Sequence, residues 1–523
     1  MNNLFQYGRE FLSVSTAIAL SGGHRKGGLN AQAREQIRRS SDIVAQIVDS
    51  GKTVYGINTG FGPLCTSLIS AEGTRKLQEN LLKSHAVGLG APITESLARL
   101  MLVLKIQALA QGYSGIQEQT LDRMLWHLEA NVIPVVPSQG SVGASGDLAP
   151  LSHLFLPLIG LGKVFYQGKI TPAAAALQQE NVAPLSLGAK EGLALINGTQ
   201  FIAAHAVRLV ERFQNLLANA DLTGALMLEG LKGSGKPFLA ELHQLRPFRG
   251  SQHVAATVHN LLHDSGIVAS HANCARVQDP YSLRCMPQVH GAARNAWRHL
   301  RELVEVEINA VTDNPVIINN ELTISGGNFH GELLALPLDY ACLAASEIGN
   351  ISDRRIYLSL EGTAPGVPKL LLRDTGLNSG FMILQYASAA LASENKGLCF
   401  PASADSIPTS LGQEDHVSMG SISGRKALQV LENSEKILGI ELMCAAQALD
   451  FHAPIKPGKI LGALHARVRQ AVPHIEEDQI LYDWMHEAIT LVQSGELPQL
   501  ARLVAQRENV PLATEWTEEF DAF

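Results

Sequence analysis

Apolar residues recur along most of this chain at the three- and four-residue spacing that is typical of amphipathic helices. One such segment begins after Asn30, a favourable N-cap residue, and stops at Gly51. Another begins at Thr94, and its apolar positions are Leu97, Leu100, Met101 and Leu104. A long segment over 424–452 carries small and apolar residues on several sides, which favours burial in a bundle or at a subunit interface. The pattern therefore predicts a mainly α-helical fold with long helices.

Strand-like alternation is confined to two short stretches, 164–170 and 316–324. Glycine-rich turns occur at 56–62, 140–146, 192–198 and 326–331. Polar side chains in loops supported by rigid helices are common places for a functional site. We therefore expect the site to be built from these turns.

Composition and charge exclude several classes of protein. The 523 residues are 46% hydrophobic and 17% charged, so the chain is neither disordered nor fibrous. A net charge of −8 argues against nucleic acid or an acidic membrane surface as a partner. The N-terminal sequence lacks the positive segment of a signal peptide, and six scattered cysteines form no Cys-x-x-Cys pair. These features predict a cytoplasmic protein with reduced thiols, without a disulfide framework or a metal site.

Three motifs resemble known sites but lack an essential part. Residues 230–236 match Gly-x-x-x-x-Gly-Lys, but Pro237 stands where a phosphate-binding loop needs serine or threonine. His259 and His263 lie four residues apart on a predicted helix, but no third zinc ligand is evident. Ser145 misses the Gly-x-Ser-x-Gly pattern of hydrolases by one position. We predict no nucleotide site, metal site or hydrolase elbow here.

The segment 140–150 contains an unusual combination of residues. Its simplest interpretation is a polar turn in which Asp147 caps a helix that begins near Leu148. In a strained turn, however, the nitrogen of Gly146 can approach the carbonyl of Ala144, because glycine has no Cβ to hinder it. Loss of water closes a five-membered ring, and loss of the Ser145 hydroxyl leaves an exocyclic methylidene. The tripeptide can thus become an electrophile without an imported cofactor.

Six motifs that occur in order between about residues 55 and 451 resemble those of the aromatic amino acid ammonia-lyase family. They are Tyr-Gly-Ile-Asn-Thr-Gly-Phe-Gly at 55–62, Gly-Ala-Ser-Gly-Asp-Leu at 143–148, Glu-Gly-Leu-Ala-Leu-Ile-Asn-Gly at 191–198, Gln-Asp-Pro-Tyr-Ser-Leu-Arg at 278–284, Gly-Gly-Asn-Phe-His at 326–330 and Gln-Glu-Asp-His at 413–416. The resemblance implies that Ala144, Ser145 and Gly146 form 4-methylidene-imidazol-5-one (MIO). No external cofactor is then required.

The resemblance also implies a fold, an assembly and a set of site residues. We expect a smaller N-terminal region over 1–200 that carries the MIO turn and the catalytic tyrosine. A long-helix bundle with C-terminal helices is expected over 201–523, in a homotetramer with active sites shared between subunits. The residues that match the family's catalytic and binding positions are Tyr55 as base, Tyr281 as a proton donor, Arg284 as the carboxylate binder, Asn197 and Gln278 as hydrogen-bonding residues, and Phe329 as the aromatic that shields MIO.

The pair His85 and Glu414 bears on the substrate. His85 resembles the family members that act on histidine or tyrosine, because an imidazole can bind either a second imidazole or a phenol. Glu414 lies in a segment typical of the histidine branch, and a carboxylate can orient an imidazole N–H and share its charge. Gln413 and Met382 also match that branch and are assigned to substrate binding. The resemblance thus implies that L-histidine is converted to trans-urocanate.

Two alternatives stay open on the sequence. They are a tyrosine or phenylalanine ammonia-lyase that retains histidine-like motifs, and an MIO-dependent aminomutase. Ala272, Ala275, His290 and the stretch Leu360 to Arg373 depart from the histidine branch. The alternatives differ in their products, which are coumarate or cinnamate for the lyases and a β-amino acid for the mutase.

Overall fold

The computed structural model describes residues 4–50, 54, 56–57, 59, 71–272 and 277–521. Its helices are α1 (Val14–Ser21), α2 (Ala31–Ser50), α3 (Ala71–His85), α4 (Glu95–Leu109), α5 (Glu118–Glu129), α6 (Leu148–Phe155), α7 (Ala173–Gln179), α8 (Glu191–Ile196), α9 (Gln200–Gly230), α10 (Ala240–Gln244), α11 (Arg249–Leu261), α12 (Gly266–Ser270), α13 (Tyr281–Arg284), α14 (Met286–Glu307), α15 (Glu332–Leu360), α16 (Met382–Leu398), α17 (Gly420–Asp450), α18 (Lys459–Ala471), α19 (Tyr482–Ser494), α20 (Glu496–Glu508) and α21 (Thr517–Phe520). Short 3₁₀ segments lie at 156–159, 236–238, 369–371 and 410–412. The predicted mainly α-helical fold with long helices is confirmed.

The strands are short and form small sheets. They are β1 (Phe5–Gln6), β2 (Gly27–Gly28), β3 (Leu89–Pro92), β4 (Ile133–Pro134), β5 (Pro137–Gln139), β6 (Lys163–Tyr166), β7 (Lys169–Pro172), β8 (Val316–Ile317) and β9 (Thr323–Ile324). β1 pairs with β2 in parallel, whereas the pairs β3–β5, β4–β6, β6–β7 and β8–β9 are antiparallel. The hairpins β6–β7 and β8–β9 coincide with the two stretches where alternation predicts strands.

Side-chain caps explain where two of the predicted helices begin. Asn30 Oδ1 accepts a hydrogen bond from the Ala33 N–H at 2.8 Å, and α2 ends at Ser50. Thr94 Oγ1 accepts from the Leu97 N–H at 3.3 Å at the start of α4. Each cap satisfies a backbone donor that the first helical turn leaves without a partner.

The chain divides into two compact units, each built from three segments. Unit 1 contains 1–208, 300–339 and 401–425, and unit 2 contains 209–299, 340–400 and 426–523. In unit 1, α3, α6 and α8 pack against one another, and almost every residue of α4 from Leu97 to Leu109 is buried. In unit 2, α18, α19 and α20 pack together. Within the described ranges, we find no helix with the length and apolar character that crossing a membrane requires.

Candidate active site

The tripeptide Ala144-Ser145-Gly146 lies in a tight turn immediately before α6. Ser145 has a φ of +49° and Gly146 a φ of +77°, so two consecutive residues are left-handed. A left-handed serine is strained, since its Cβ crowds the backbone. A Cβ on Gly146 would lie 2.1 Å from the carbonyl oxygen of Gly198, so this position requires glycine. The turn is therefore both strained and closely packed.

The junction between α8 and α9 holds this turn from one side. The Gly198 N–H donates to the Ser145 carbonyl at 3.2 Å, and the Asp147 N–H donates to the Gly198 carbonyl at 2.8 Å. Gly146 and Gly198 thereby form an isolated parallel bridge. The two glycine-rich turns that the sequence singles out, 140–146 and 192–198, are thus in direct contact.

Asp147 occupies the N-cap position of α6, which begins at Leu148 as expected, but its side chain makes no capping hydrogen bond, so the expected side-chain cap is wrong. Its Oδ2 accepts hydrogen bonds from the N–H groups of Phe201 and Ile202, both at 3.0 Å, in the first turn of α9. Its Oδ1 accepts from Ser141 Oγ at 3.1 Å. Burial raises the pKa of Asp147 to about 7, although these donors oppose the shift. The carboxylate joins the turn that contains Ala144, Ser145 and Gly146 to α9, a contact that sequence spacing could not reveal.

Asn197 ends α8 and is buried. Its side-chain amide donates to the Asn314 carbonyl at 3.1 Å, and its backbone N–H donates to Leu193 at 3.0 Å. Its own carbonyl accepts a hydrogen bond from Lys105 Nζ, which reaches it from α4. The segment 197–198 is therefore fixed by contacts on both of its faces.

Three further charged residues lie buried in unit 1, namely Lys105, Lys190 and Asp313. The pKa of Lys105 is lowered to about 7, mainly by burial. The positive charge of Lys190 contributes to this shift, and the carboxylates of Asp313 and Asp147 oppose it. Lys190 Nζ donates to Asp313 Oδ2 at 2.7 Å and to the Ser114 carbonyl at 2.9 Å. These residues were missed by the sequence analysis. The available signal was a lone lysine within the apolar run of α4.

Glu414 lies beside Ser145, from which it is separated by 269 positions in the chain. Glu414 Oε1 accepts a hydrogen bond from Ser145 Oγ at 3.3 Å. Glu414 Oε2 accepts from Thr409 Oγ1 at 2.8 Å, and the Thr409 N–H donates to the Glu414 carbonyl at 2.9 Å. Thr409 thus orients a half-buried carboxylate toward the serine of the tripeptide.

His85 is the last residue of α3. Its Nδ1 lies 2.9 Å from the Leu81 carbonyl and 3.0 Å from Ser84 Oγ. Because a carbonyl only accepts, Nδ1 carries the hydrogen and Nε2 remains available to another partner. Burial lowers the pKa of His85, while the Leu81 carbonyl and the charge of Glu414 raise it. The structure therefore couples His85 electrostatically to Glu414.

The remaining predicted residues of unit 1 lie in turns. Phe329 is half-buried just ahead of α15, and Gln413 is exposed in the segment that leads to Glu414. The predicted base Tyr55 lies outside the described residues, as does Ala275, one of the departures from the histidine branch.

Another group of predicted residues lies in unit 2. Arg284 Nη2 donates to Gln278 Oε1 at 3.0 Å, and Arg284 Nε donates to the Asp279 carbonyl at 2.9 Å. The guanidinium lies 4.6 Å from the ring centre of Tyr281, which is 72% exposed. This stacking arranges a cation, an amide and a phenol at one surface. Met382 begins α16 in the same unit and is half-buried.

The two histidines that the sequence analysis considered as zinc ligands do not share a helix. His263 lies beyond the end of α11, so the predicted common helix for His259 and His263 is wrong. Its Nδ1 lies 3.1 Å from Asp264 instead. In the part of the chain that the structure describes, no three histidine, cysteine or acidic side chains are grouped to hold a metal ion.

The chain is similar to known proteins over most of its length. A family model described as aromatic amino acid lyase matches residues 12–470. A histidine ammonia-lyase of Myxococcus xanthus is 48% identical over 470 residues, which covers 90% of this chain and 92% of that protein. The crystal structure of histidine ammonia-lyase from Trypanosoma cruzi has a TM-score of 0.89 and 36% identity, and covers 99% of this chain and 97% of that chain. A tyrosine aminomutase from Streptomyces globisporus has a TM-score of 0.90 and 32% identity, with coverages of 96% and 99%.

Proposed function

The chain belongs to the aromatic amino acid lyase family, and from this premise we propose that it is a histidine ammonia-lyase that converts L-histidine to trans-urocanate and ammonia. The observation that carries the substrate assignment is the contact between Glu414 and Ser145 at 3.3 Å. A carboxylate at this place can bind and polarise an imidazole N–H. Beside a phenyl ring, the oxygen that faces the tripeptide would be desolvated without a partner once the Ser145 hydroxyl is lost, which costs free energy.

The tripeptide fits the formation of MIO. Its left-handed Ser145 and Gly146 compress the backbone, and the glycine leaves room for its own nitrogen to attack the Ala144 carbonyl carbon. Ring closure forms the bond between the Gly146 nitrogen and the Ala144 carbonyl carbon and releases a first water, which consists of the Ala144 oxygen and the amide hydrogens of Ser145 and Gly146. A second water, formed from the hydroxyl and the Cα hydrogen of Ser145, leaves the exocyclic methylidene. The finished group supplies an electrophile for the substrate's amine.

His85 and Glu414 are proposed to bind the imidazole of the substrate. His85 Nε2 is free of the Leu81 contact, and Thr409 holds one oxygen of Glu414 while the other faces the tripeptide. Loss of the Ser145 hydroxyl as water would remove the present partner of that second oxygen. Gln413 and Met382 are also proposed to bind substrate, through their match to the histidine branch.

Arg284, Gln278 and Tyr281 are proposed to bind the α-carboxylate and to deliver a proton. The guanidinium can bind both carboxylate oxygens in its plane, which a lysine could not reproduce. Gln278 Oε1 accepts a hydrogen bond from Arg284 Nη2 at 3.0 Å, and the Tyr281 ring packs against the face of the guanidinium. Asn197, buried between Lys105 and Asn314, is assigned a hydrogen bond to MIO or substrate.

Tyr55 is proposed as the base that removes the β-proton, and Phe329 as the aromatic cover of the site. A phenol ordinarily titrates near pH 10, so this role requires a depressed pKa for Tyr55. Both assignments follow the family motifs at 55–62 and 326–330.

We also propose a homotetramer, as the resemblance implies. Apolar side chains that are largely exposed in the single chain follow one face of α15: Leu333, Leu336, Tyr340 and Leu343. Ile383 and Tyr386 form a second exposed apolar pair on α16. Contiguous apolar surface of this kind is typical of protein interfaces, and further copies of this chain would bury it.

The proposed function is tested by incubating purified protein separately with histidine, tyrosine and phenylalanine while product absorbance is followed. We expect urocanate from histidine at the highest kcat/KM. Coumarate or cinnamate formed at a higher kcat/KM would establish the lyase alternative instead. A β-amino acid, detected by chromatography, would establish the aminomutase.

A further inference from the structure

Lys105 is a buried lysine on a helix that otherwise presents mainly apolar residues to the interior. It is 1% exposed, and its neighbours Val103, Leu104 and Ile106 are equally buried. Removing an ammonium group from water is costly unless it has a partner. Its position therefore requires a specific contact.

The two carboxylates that raise the pKa of Lys105, those of Asp313 and Asp147, already accept hydrogen bonds from other donors. Asp313 accepts from Lys190 at 2.7 Å, and Asp147 accepts from two backbone N–H groups of α9 and from Ser141. Lys105 donates instead to the backbone carbonyl of Asn197. An ordinary buried ion pair thus does not account for this lysine.

The carbonyl that Lys105 holds lies one residue from the contact with the tripeptide. Gly198, next in the chain, donates to the Ser145 carbonyl at 3.2 Å and accepts from the Asp147 N–H at 2.8 Å. Asn314 fixes the Asn197 side chain at 3.1 Å, but the backbone carbonyl depends on Lys105. The lysine therefore acts on the backbone segment against which the strained turn is packed.

We propose that Lys105 is a positioning residue for formation of the prosthetic group: it anchors the Asn197 carbonyl and so keeps Gly198 against Ser145 and Gly146 while the ring closes. This inference rests on the proposed function, because it assumes that the tripeptide cyclises. Ring closure needs a close and persistent approach of the Gly146 nitrogen to the Ala144 carbonyl, and small displacements of such a geometry are expensive. The low pKa that burial gives Lys105 does not abolish the contact, since a neutral amine also donates a hydrogen bond, although a weaker one than an ammonium group.

The test compares Lys105→Met with Lys105→Gln, two unbranched side chains of similar size of which only glutamine donates a hydrogen bond. Each protein is synthesised in a cell-free reaction, and its intact mass is followed over time for the loss of two waters. We expect the methionine variant to mature at least tenfold more slowly than wild type, and the glutamine variant to recover part of the rate. Histidine turnover per matured site should change little, whereas total turnover should follow the matured fraction.

Gln107→Met is the matched control. Gln107 lies on the same helix, is 2% exposed and bonds Gly8, Glu10 and Asn309 rather than Asn197. This variant should lose thermal stability but mature at the wild-type rate. If Lys105→Met does not fold, the glutamine variant carries the comparison and should mature more slowly than wild type.

Two results would overturn the role of Lys105. The first is maturation at the wild-type rate in Lys105→Met, or in Lys105→Gln if only that variant folds. The second is maturation of Gln107→Met that is slowed as much as that of the Lys105 variant. Failure of the proposed function is distinguishable from both, because wild-type protein would then keep its encoded mass.

Discussion

Removing the charge of Glu414 should lower kcat/KM for histidine by a measurable factor. Glu414→Gln keeps the side-chain shape, and Thr409 Oγ1 can still donate to the remaining carbonyl oxygen, which it approaches at 2.8 Å in the native chain. What is lost is a charge-assisted hydrogen bond to the imidazole, worth about 1.5–3 kcal/mol. Because Glu414 is half-buried, solvent screening reduces the upper end of that range. We therefore expect kcat/KM for histidine to fall by roughly tenfold to a hundredfold.

The assay measures kcat/KM for histidine and tyrosine in wild type, Glu414→Gln and Asp415→Asn. Asp415 is exposed and adjacent, so its variant removes the same charge without touching Ser145. Turnover of tyrosine, if measurable, should stay level or rise in Glu414→Gln, since a neutral side chain costs less beside a phenol. An unchanged kcat/KM for histidine in Glu414→Gln, or an equal fall in Asp415→Asn, would refute the reasoning.

Three other predictions follow from the same structure. Ser145→Ala should fold with an unchanged circular dichroism spectrum but lose most activity and show no loss of two waters in its intact mass; an active variant would contradict the MIO assignment. Light scattering at micromolar concentration should give a tetramer that Leu336→Glu dissociates, and a wild-type monomer would contradict the assembly. Burial lowers the pKa of His127 and of His205 from 6.5 to about 4, so the unfolded state takes up their protons first as the pH falls. The stability associated with each neutral ring is therefore present above pH 6.5 and lost between pH 6.5 and 4, by about 2 kcal/mol per ring at pH 5. The free energy of unfolding, measured with urea as a function of pH, should show this loss from both rings in wild type and about half of it in His127→Gln. A free energy of unfolding that does not change between pH 6.5 and 4 would contradict the prediction.

Helix type and position were readable from local sequence, because caps and apolar spacing act over a few residues. Asn30 and Thr94 begin helices at the predicted places, since each side chain satisfies a donor only three residues ahead. The two predicted strand stretches are hairpins for the same local reason. Such features do not depend on the rest of the chain.

Contacts between distant segments were not readable in this way. Asp147 precedes α6 and looks like its cap, but its carboxylate binds α9, because α9 presents N–H groups without helical partners at the same place. Lys105 is a single charge in the apolar run of α4, and its hydrogen-bond partner Asn197 is 92 positions away in the chain. The motifs single out both Glu414 and Ser145, whereas the 3.3 Å contact between them is visible only in the folded chain.

The most direct test of the central claim is a competition experiment with equal concentrations of L-histidine, L-tyrosine and L-phenylalanine. Wild-type protein of known intact mass is added, and all products are quantified together by chromatography and mass spectrometry. The account predicts protein two waters lighter than its encoded mass and urocanate as the main product, with ammonia released in equal amount. Protein of encoded mass, or coumarate, cinnamate or a β-amino acid as the main product, would contradict it.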